Sequence, residues 1–197
     1  MKRLITSIVA IAAMTACKPD IYTGPLDSPV GSWDGVRAEY YFNGELAGEV
    51  EECQYKAYSE AARICGERPL TIRTLDIGAD KQVDYFQMEK EENPAMGYRA
   101  IRICLDRTEI FKTQLRAIYR AGYYGNIAIM FPMIISVQEV QQIKTLITEV
   151  KSELQAENIP YKDCELGIMT EVPAVMEMKE DFLNTMRLSE RVSLDTW

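Results

Sequence analysis

From about residue 50 to residue 175, apolar positions alternate between short continuous runs and stripes spaced three or four apart. Tyr55, Tyr58, Ala61 and Ile64 share one face and predict a helix over Cys53 to Gly66. Leu70 to Ile77 predicts a strand, because Ile72 with the β-branched Thr71 and Thr74 suits a pleated surface and Gly78 ends it. Asp106 and Glu109 have the spacing of a capping box, and Ile110, Leu115 and Ile118 continue a helix to near Gly122. Asn126 to Ile134 is continuously apolar and suits a strand buried on both faces. Ser136 and Glu139 form a second capping box, followed by the stripe Val137, Val140, Ile143, Ile147, Val150 and Leu154 of a long helix. Glu165 to Val172 predicts a further strand, and from Met176 onward Phe182, Leu183 and Met186 mark an amphipathic helix with a short tail.

Strand, helix, strand, helix, strand in this order implies an α/β fold with parallel strands joined by right-handed crossovers. Such sheets place ligands at the carboxyl ends of their strands. That directs attention to Arg73 and Asp76, to Asp80 and Lys81 on the turn beyond Gly78, and to Glu171 just before Pro173. The ordinary readings of the same residues are a solvated loop, ion pairing of the arginines with neighbours such as Asp76 or Glu92, and a solvated strand end at Glu171.

The front of the chain has a different pattern. Lys2 and Arg3 precede an apolar run from Leu4 to Ala13, and Met14-Thr15-Ala16-Cys17 resembles the lipobox of a bacterial lipoprotein signal. On that reading the Cys17 thiol takes a lipid, cleavage occurs before it, and the acyl chains tie the protein to a membrane. The run is too short to span a bilayer. Residues 18–29 lack a hydrophobic period and read as a tether. Val36 to Phe42, a turn at Asn43-Gly44 and a return over Glu45 to Val50 predict a β-hairpin.

Charge and composition narrow the chemistry. A net charge of −8 argues against nucleic acid as a partner, since phosphate backbones need a basic face. The sequence has no histidine, which excludes a Ser-His triad, a histidine metal cluster and a phosphohistidine on this polypeptide. Beyond Cys17, the cysteines at 53, 65, 104 and 164 have no metal-binding spacing; they are either idle thiols or an even set able to pair in an oxidising compartment.

Five blocks in order identify a resemblance: RTLDIGADK from Arg73, KEENPAMGYRAIRICLDR from Lys90, FKTQLRAIYRA from Phe111, IMFPMIISVQEV from Ile129 and GIMTEVPA from Gly167. Over about Glu51 to Val175 the chain resembles the phosphoenolpyruvate-binding C-terminal barrel of Enzyme I, the phosphoenolpyruvate-protein phosphotransferase of the bacterial sugar phosphotransferase system. Ala79 and Tyr98 depart from the usual glycine and tryptophan. The resemblance implies a TIM-type (β/α) barrel, here an incomplete fragment, because about three strands are countable where a barrel has eight in about 250 residues. It implies that Arg73 and Arg99 grip the phosphate and carboxylate of phosphoenolpyruvate, and that Glu171 is one of two carboxylates holding Mg²⁺. The family's second metal ligand, its proton-donating cysteine, an arginine before the first block and its histidine-bearing domain have no counterpart in this sequence.

The expected division is therefore a lipoprotein-like signal over 1–17, a tether and hairpin over 18–50, an Enzyme I-like fragment over 51–175 and a divergent helical tail over 176–197. Two functions follow. One is a phosphoenolpyruvate-binding, Mg²⁺-dependent fragment with impaired phosphoryl transfer, cytoplasmic by resemblance, its sheet completed by self-association. The other is a membrane-anchored envelope lipoprotein without catalysis. The two ends point to different compartments, and the chain reads as a hybrid of an exported front and an Enzyme I-like body.

Overall fold

Five strands lie side by side in sequence order and all run parallel: β1 (Ser7–Val9), β2 (Leu70–Arg73), β3 (Ile127–Phe131), β4 (Glu165–Met169) and β5 (Val192–Asp195). The computed structural model describes residues 7–9, 44–78, 91–93, 96–187 and 192–195. Helices α1 (Gly44–Cys65), α2 (Ile101–Asp106), α3 (Thr108–Ala121), α4 (Val137–Ala156), α5 (Pro173–Glu177) and α6 (Lys179–Arg187) occupy the connections.

Register decides which side chains face the helices. Leu70 aligns with Ile127, Ile72 with Ile129 and Leu166, and Phe131 with Ile168, and all seven are buried in the core. Against them pack Ile103 of α2, Phe111, Leu115 and Ile118 of α3, and Val140, Ile143 and Val150 of α4. The alternate positions form a second face, where Thr71, Arg73, Ala128 and Glu165 are half-buried and Met130 and Gly167 are buried. One face is clad in helices and the other is small, polar and charged, as expected for an arc of a (β/α) barrel whose second face looks inward.

Several sequence expectations are corrected. Glu45 to Val50 is not a returning strand: it forms the opening turns of α1, which runs 22 residues without a break. Leu46, Ala47 and the glutamates favour a helix, and an isolated hairpin has too little to pack against. The helix is fixed further along, where Arg116 and Arg120 of α3 grip Glu51 at 2.7 Å each and Arg120 pairs with Glu52 at 2.9 Å. It passes through the expected join at residue 50. Gly66, whose φ of 59° is left-handed, follows its last turn.

The Asp106–Glu109 capping box is also absent. Asp106 ends α2, an unforeseen helix, and its carboxylate accepts the Tyr98 hydroxyl at 2.5 Å; Arg107 is the residue before α3 and makes no side-chain cap. The box at α4 is present: Ser136 Oγ accepts from the Glu139 amide at 3.2 Å, and Glu139 accepts from the Ser136 amide at 3.0 Å. Strand β2 stops at Arg73, so Asp76 lies in the loop beyond it.

The three strands expected within residues 51–175 are β2, β3 and β4, and two further strands lie outside that region. The expected tail contains the helix α6 and then β5, which pairs with β4 through Leu166 and Val192 and through Ile168 and Leu194. At the other edge β1 pairs Ile8 with Ile72 and Val9 with Arg73. Those three β1 residues lie inside the apolar run read as a signal, and a segment that is removed cannot also supply a strand. Cys17, the tether and the outgoing hairpin strand lie outside the described residues. No helix among the described residues is long and apolar enough to cross a membrane.

The loop after β2 is tied down at three places. The Thr74 amide donates to the Met130 carbonyl at 3.0 Å, the Leu75 amide to Gln114 Oε1 at 3.0 Å, and the Ala100 amide to the Ile77 carbonyl at 3.1 Å. Gln114 is itself buried and donates from Nε2 to the Tyr58 hydroxyl at 3.1 Å, so α1, α3 and the loop share one polar chain. A buried amide of this kind costs stability if it is left unpaired.

Two predictions test this packing. Gly125 has ordinary extended backbone, but a Cβ there would lie 2.9 Å from the Ala62 carbonyl oxygen of α1. Gly125→Ala should destabilise by about 1–3 kcal/mol in denaturant unfolding, as overpacking does; an unchanged midpoint would place α1 elsewhere. Burial pushes the Tyr58 hydroxyl up to about 12, above the value near 10 of an exposed tyrosine. The unfolded chain then loses this proton first, so the stability contributed is intact below about pH 10 and is lost as pH rises through about 12. Alkaline unfolding of Tyr58→Phe should lack that component.

Candidate functional site

Parallel pairing brings the ends of β2, β3 and β4 to one edge, and the expected site residues are found there. Arg73 closes β2, and its row, Arg73 with Met130 and Gly167, lies on the face turned away from the helices. Arg99 arrives from the connection ahead of α2. Its approach is held: the Tyr98 amide donates to both oxygens of Glu91 at 2.9 and 3.1 Å, and Arg102 donates to the carbonyls of Met96 and Gly97. Ala100 follows with φ 51° and ψ −122°, a conformation that a residue with a Cβ adopts only at a cost of about 1–3 kcal/mol. Its amide bond to Ile77 and its complete burial hold it there.

Asp76 stands between the two arginines. Its Oδ1 accepts from Arg99 Nη2 at 2.8 Å and from Arg99 Nε at 3.3 Å, and its Oδ2 lies 3.5 Å from Arg73 Nη1. The three side chains are 13–23% exposed, so water screens them poorly. Among the described residues the cluster holds two guanidiniums and one carboxylate. Arg73 Nε is buried and has no hydrogen-bond partner among the described residues, and the adjacent Thr74 hydroxyl is in the same state. A buried, unspent guanidinium donor beside a second guanidinium has the chemistry to receive an oxyanion.

Glu171 follows β4 and bridges to the end of β3, where its Oε1 accepts the Met133 amide at 2.7 Å. Met133 has φ 60°, so the carboxylate fastens a strained turn. No group of three or more metal-ligating side chains occurs among the described residues. Glu171 is exposed and its second oxygen is not needed by Met133, so it suits Mg²⁺ shared with a ligand's own oxygens, the usual way this ion is bound, rather than a cage made by protein alone.

The cysteines separate from this chemistry. Cys65, Cys104 and Cys164 form no disulfide, while Cys53 is disulfide-bonded. Burial first, and the Asp76 charge second, push the Cys104 thiol up, which keeps it protonated and unreactive. The site residues that sequence reasoning missed are Ala100 and Met133; pairing of the arginines with Asp76 is the ordinary reading of those residues, and the structure contains it. Asp76 was visible only as a neighbouring charge, and nothing in the identities of Ala100 and Met133 signals a left-handed backbone.

Comparison with known proteins identifies the family. The pattern of the family described as PEP-utilising enzyme, PEP-binding domain, matches residues 29–189. Phosphoenolpyruvate-protein phosphotransferase of Bacillus sp. (strain S) is 39% identical over 165 residues, covering 83% of this chain and 28% of that protein. The protein of the same name from Bacillus subtilis (strain 168) is 40% identical, covering 83% and 29%. That of Buchnera aphidicola subsp. Schizaphis graminum is 45% identical over 139 residues, covering 70% and 24%. The chain thus spans less than a third of the length of these curated relatives. With five matching blocks, a parallel sheet and two arginines at its carboxyl edge, the chain belongs to the PEP-utilising enzymes and corresponds to their PEP-binding domain.

Proposed function

We propose that the carboxyl edge of the sheet binds phosphoenolpyruvate, with Arg73 and Arg99 receiving its phosphate and carboxylate. The observation that carries this reading is the buried, unpartnered Nε of Arg73 beside a second guanidinium. Guanidinium is suited to the task because its planar fork donates two parallel hydrogen bonds to a carboxylate or a phosphate. Glu171 is proposed as the protein ligand of a Mg²⁺ ion that enters with the substrate. When bound, that ion would neutralise charge on the substrate's oxygens.

The proposal separates binding from turnover. Phosphoryl transfer is almost wholly positioning and electrostatics, and this chain supplies two arginines and one carboxylate of the set that the resemblance implies. We place it as a phosphoenolpyruvate-binding domain of the phosphotransferase kind, with impaired transfer on its own, working in the cytoplasm where phosphoenolpyruvate is available. Pairing of outer strands between copies would extend the sheet and complete the enclosure of the site.

Met14-Thr15-Ala16-Cys17 favours a second reading, a lipid-anchored protein without catalysis. Processing before Cys17 would remove β1 with the leader. Mass analysis of the protein from cells separates the two: diacylglycerol on Cys17 supports the anchor, and an intact amino terminus overturns it.

Titration of phosphoenolpyruvate with Mg²⁺ into the whole chain tests the first reading. Ligand at a hundredfold excess over Kd should stabilise the fold by about 2.7 kcal/mol, seen as a saturable rise in Tm. The rise should vanish in Arg73→Ala and in Arg99→Ala. A cooperatively folded protein with no rise would overturn the proposal.

A further inference from the structure

We infer that Asp76 is a positioning residue, whose carboxylate sets the spacing and orientation of Arg73 and Arg99 before any ligand arrives; this rests on the reading of the edge as an oxyanion receptor. The first support is geometry. The two arginines come from different elements, one from the end of β2 and one from the connection ahead of α2, and the backbone bond between these segments lies at Ala100 and Ile77 rather than at the arginines. Each oxygen of Asp76 faces a different guanidinium, with Oδ1 on Arg99 and Oδ2 on Arg73.

The second support is the rigidity of the carboxylate's own mounting. The residue before it, Leu75, is buried and its amide is bonded to the buried Gln114; the residue after it, Ile77, is buried and its carbonyl takes the Ala100 amide. Asp76 is therefore held on both sides, and the bond from Ile77 ends on the residue next to Arg99. A mobile carboxylate would follow the arginines. This one is placed so that the arginines follow it.

The third support is charge. Two guanidiniums held side by side repel each other, and without a counter-charge they would turn apart towards water. A carboxylate between them removes most of that repulsion. The carboxylate also leaves donors unspent, since Arg73 Nε has no partner among the described residues. A group that only blocked the site would be expected to occupy those donors.

The opposing view is that Asp76 competes with the ligand, so that removing it would tighten binding. The two views give opposite signs. The experiment uses the whole chain as wild type, Asp76→Asn and Asp76→Glu, each titrated with phosphoenolpyruvate and Mg²⁺ by calorimetry. The Nε–H signals of Arg73 and Arg99 are followed in parallel by nitrogen NMR without ligand, assigned through Arg73→Lys and Arg99→Lys.

Positioning predicts affinity lower by roughly 10-fold or more in Asp76→Asn, the usual effect of losing a hydrogen bond to a charged group. It also predicts loss of the protected Arg99 Nε–H signal in that variant. Asp76→Glu, which keeps the charge and moves it by one methylene, should fall between wild type and Asp76→Asn in both readouts. Affinity equal to or above wild type in Asp76→Asn would overturn the inference. If that variant does not fold, Asp76→Glu decides: intermediate values support the inference, and wild-type values in both readouts overturn it. Absence of phosphoenolpyruvate binding by the wild type would count against the proposed function alone. The arginine signals then decide the role of Asp76: it stands if the Arg99 signal is protected in wild type and weakened in the variants, and falls if it is not.

Discussion

Parallel pairing is the constraint on which the site depends. When every strand runs the same way, each delivers its carboxyl end to one edge, and residues far apart in sequence meet without a dedicated long-range contact. Arg73 at the end of β2 and Glu171 beyond β4 share that edge for this reason. The cost is that parallel strands need long crossovers, and the helices in those crossovers must cover one face. Leu70, Ile72, Ile129, Phe131 and Ile168 bury that face, leaving the other free to hold charge.

Charge on the uncovered face needs mutual arrangement. Arg73 lies within a sheet row beside Met130 and Gly167, where a lone guanidinium would be poorly solvated. Asp76 and Arg99 complete the cluster. The surrounding bonds hold the backbone rather than the charged groups themselves: Gln114 on Leu75, Ile77 on Ala100, Glu91 on Tyr98, Glu171 on Met133. Strain at Ala100 and Met133 fits this picture, because a turn that aims a side chain is stable only when its neighbours over-determine it.

Much of the fold was legible in the sequence where local chemistry and burial agree. The continuous run from Ile127 to Phe131 is buried on the helix-facing side and tightly flanked, and the Ser136–Glu139 box caps α4 as its spacing requires. Legibility failed where tertiary packing overrode a local signal. Asn43-Gly44 suggested a hairpin, yet Glu51 and Glu52 pair with arginines of α3 and the helix extends back to Gly44. Asp106 suggested a cap, yet it ends one helix and accepts the Tyr98 hydroxyl. Strands of three and four residues, β1 and β5, have too little sequence of their own to announce a partner. In the site, residue types pointed to Arg73, Arg99 and Glu171, but the bridge at Asp76 depends on a loop path that periodicity does not describe.

The central claim is that this edge is a preformed oxyanion receptor built on two arginines. A crystal structure of the chain grown with phosphoenolpyruvate and Mg²⁺ tests it most directly. The account predicts ligand density between Arg73 and Arg99, with an acceptor oxygen at hydrogen-bond distance from Arg73 Nε and the Asp76 contacts kept. Ligand seated elsewhere, or guanidiniums that turn away from each other to admit it, would contradict the account.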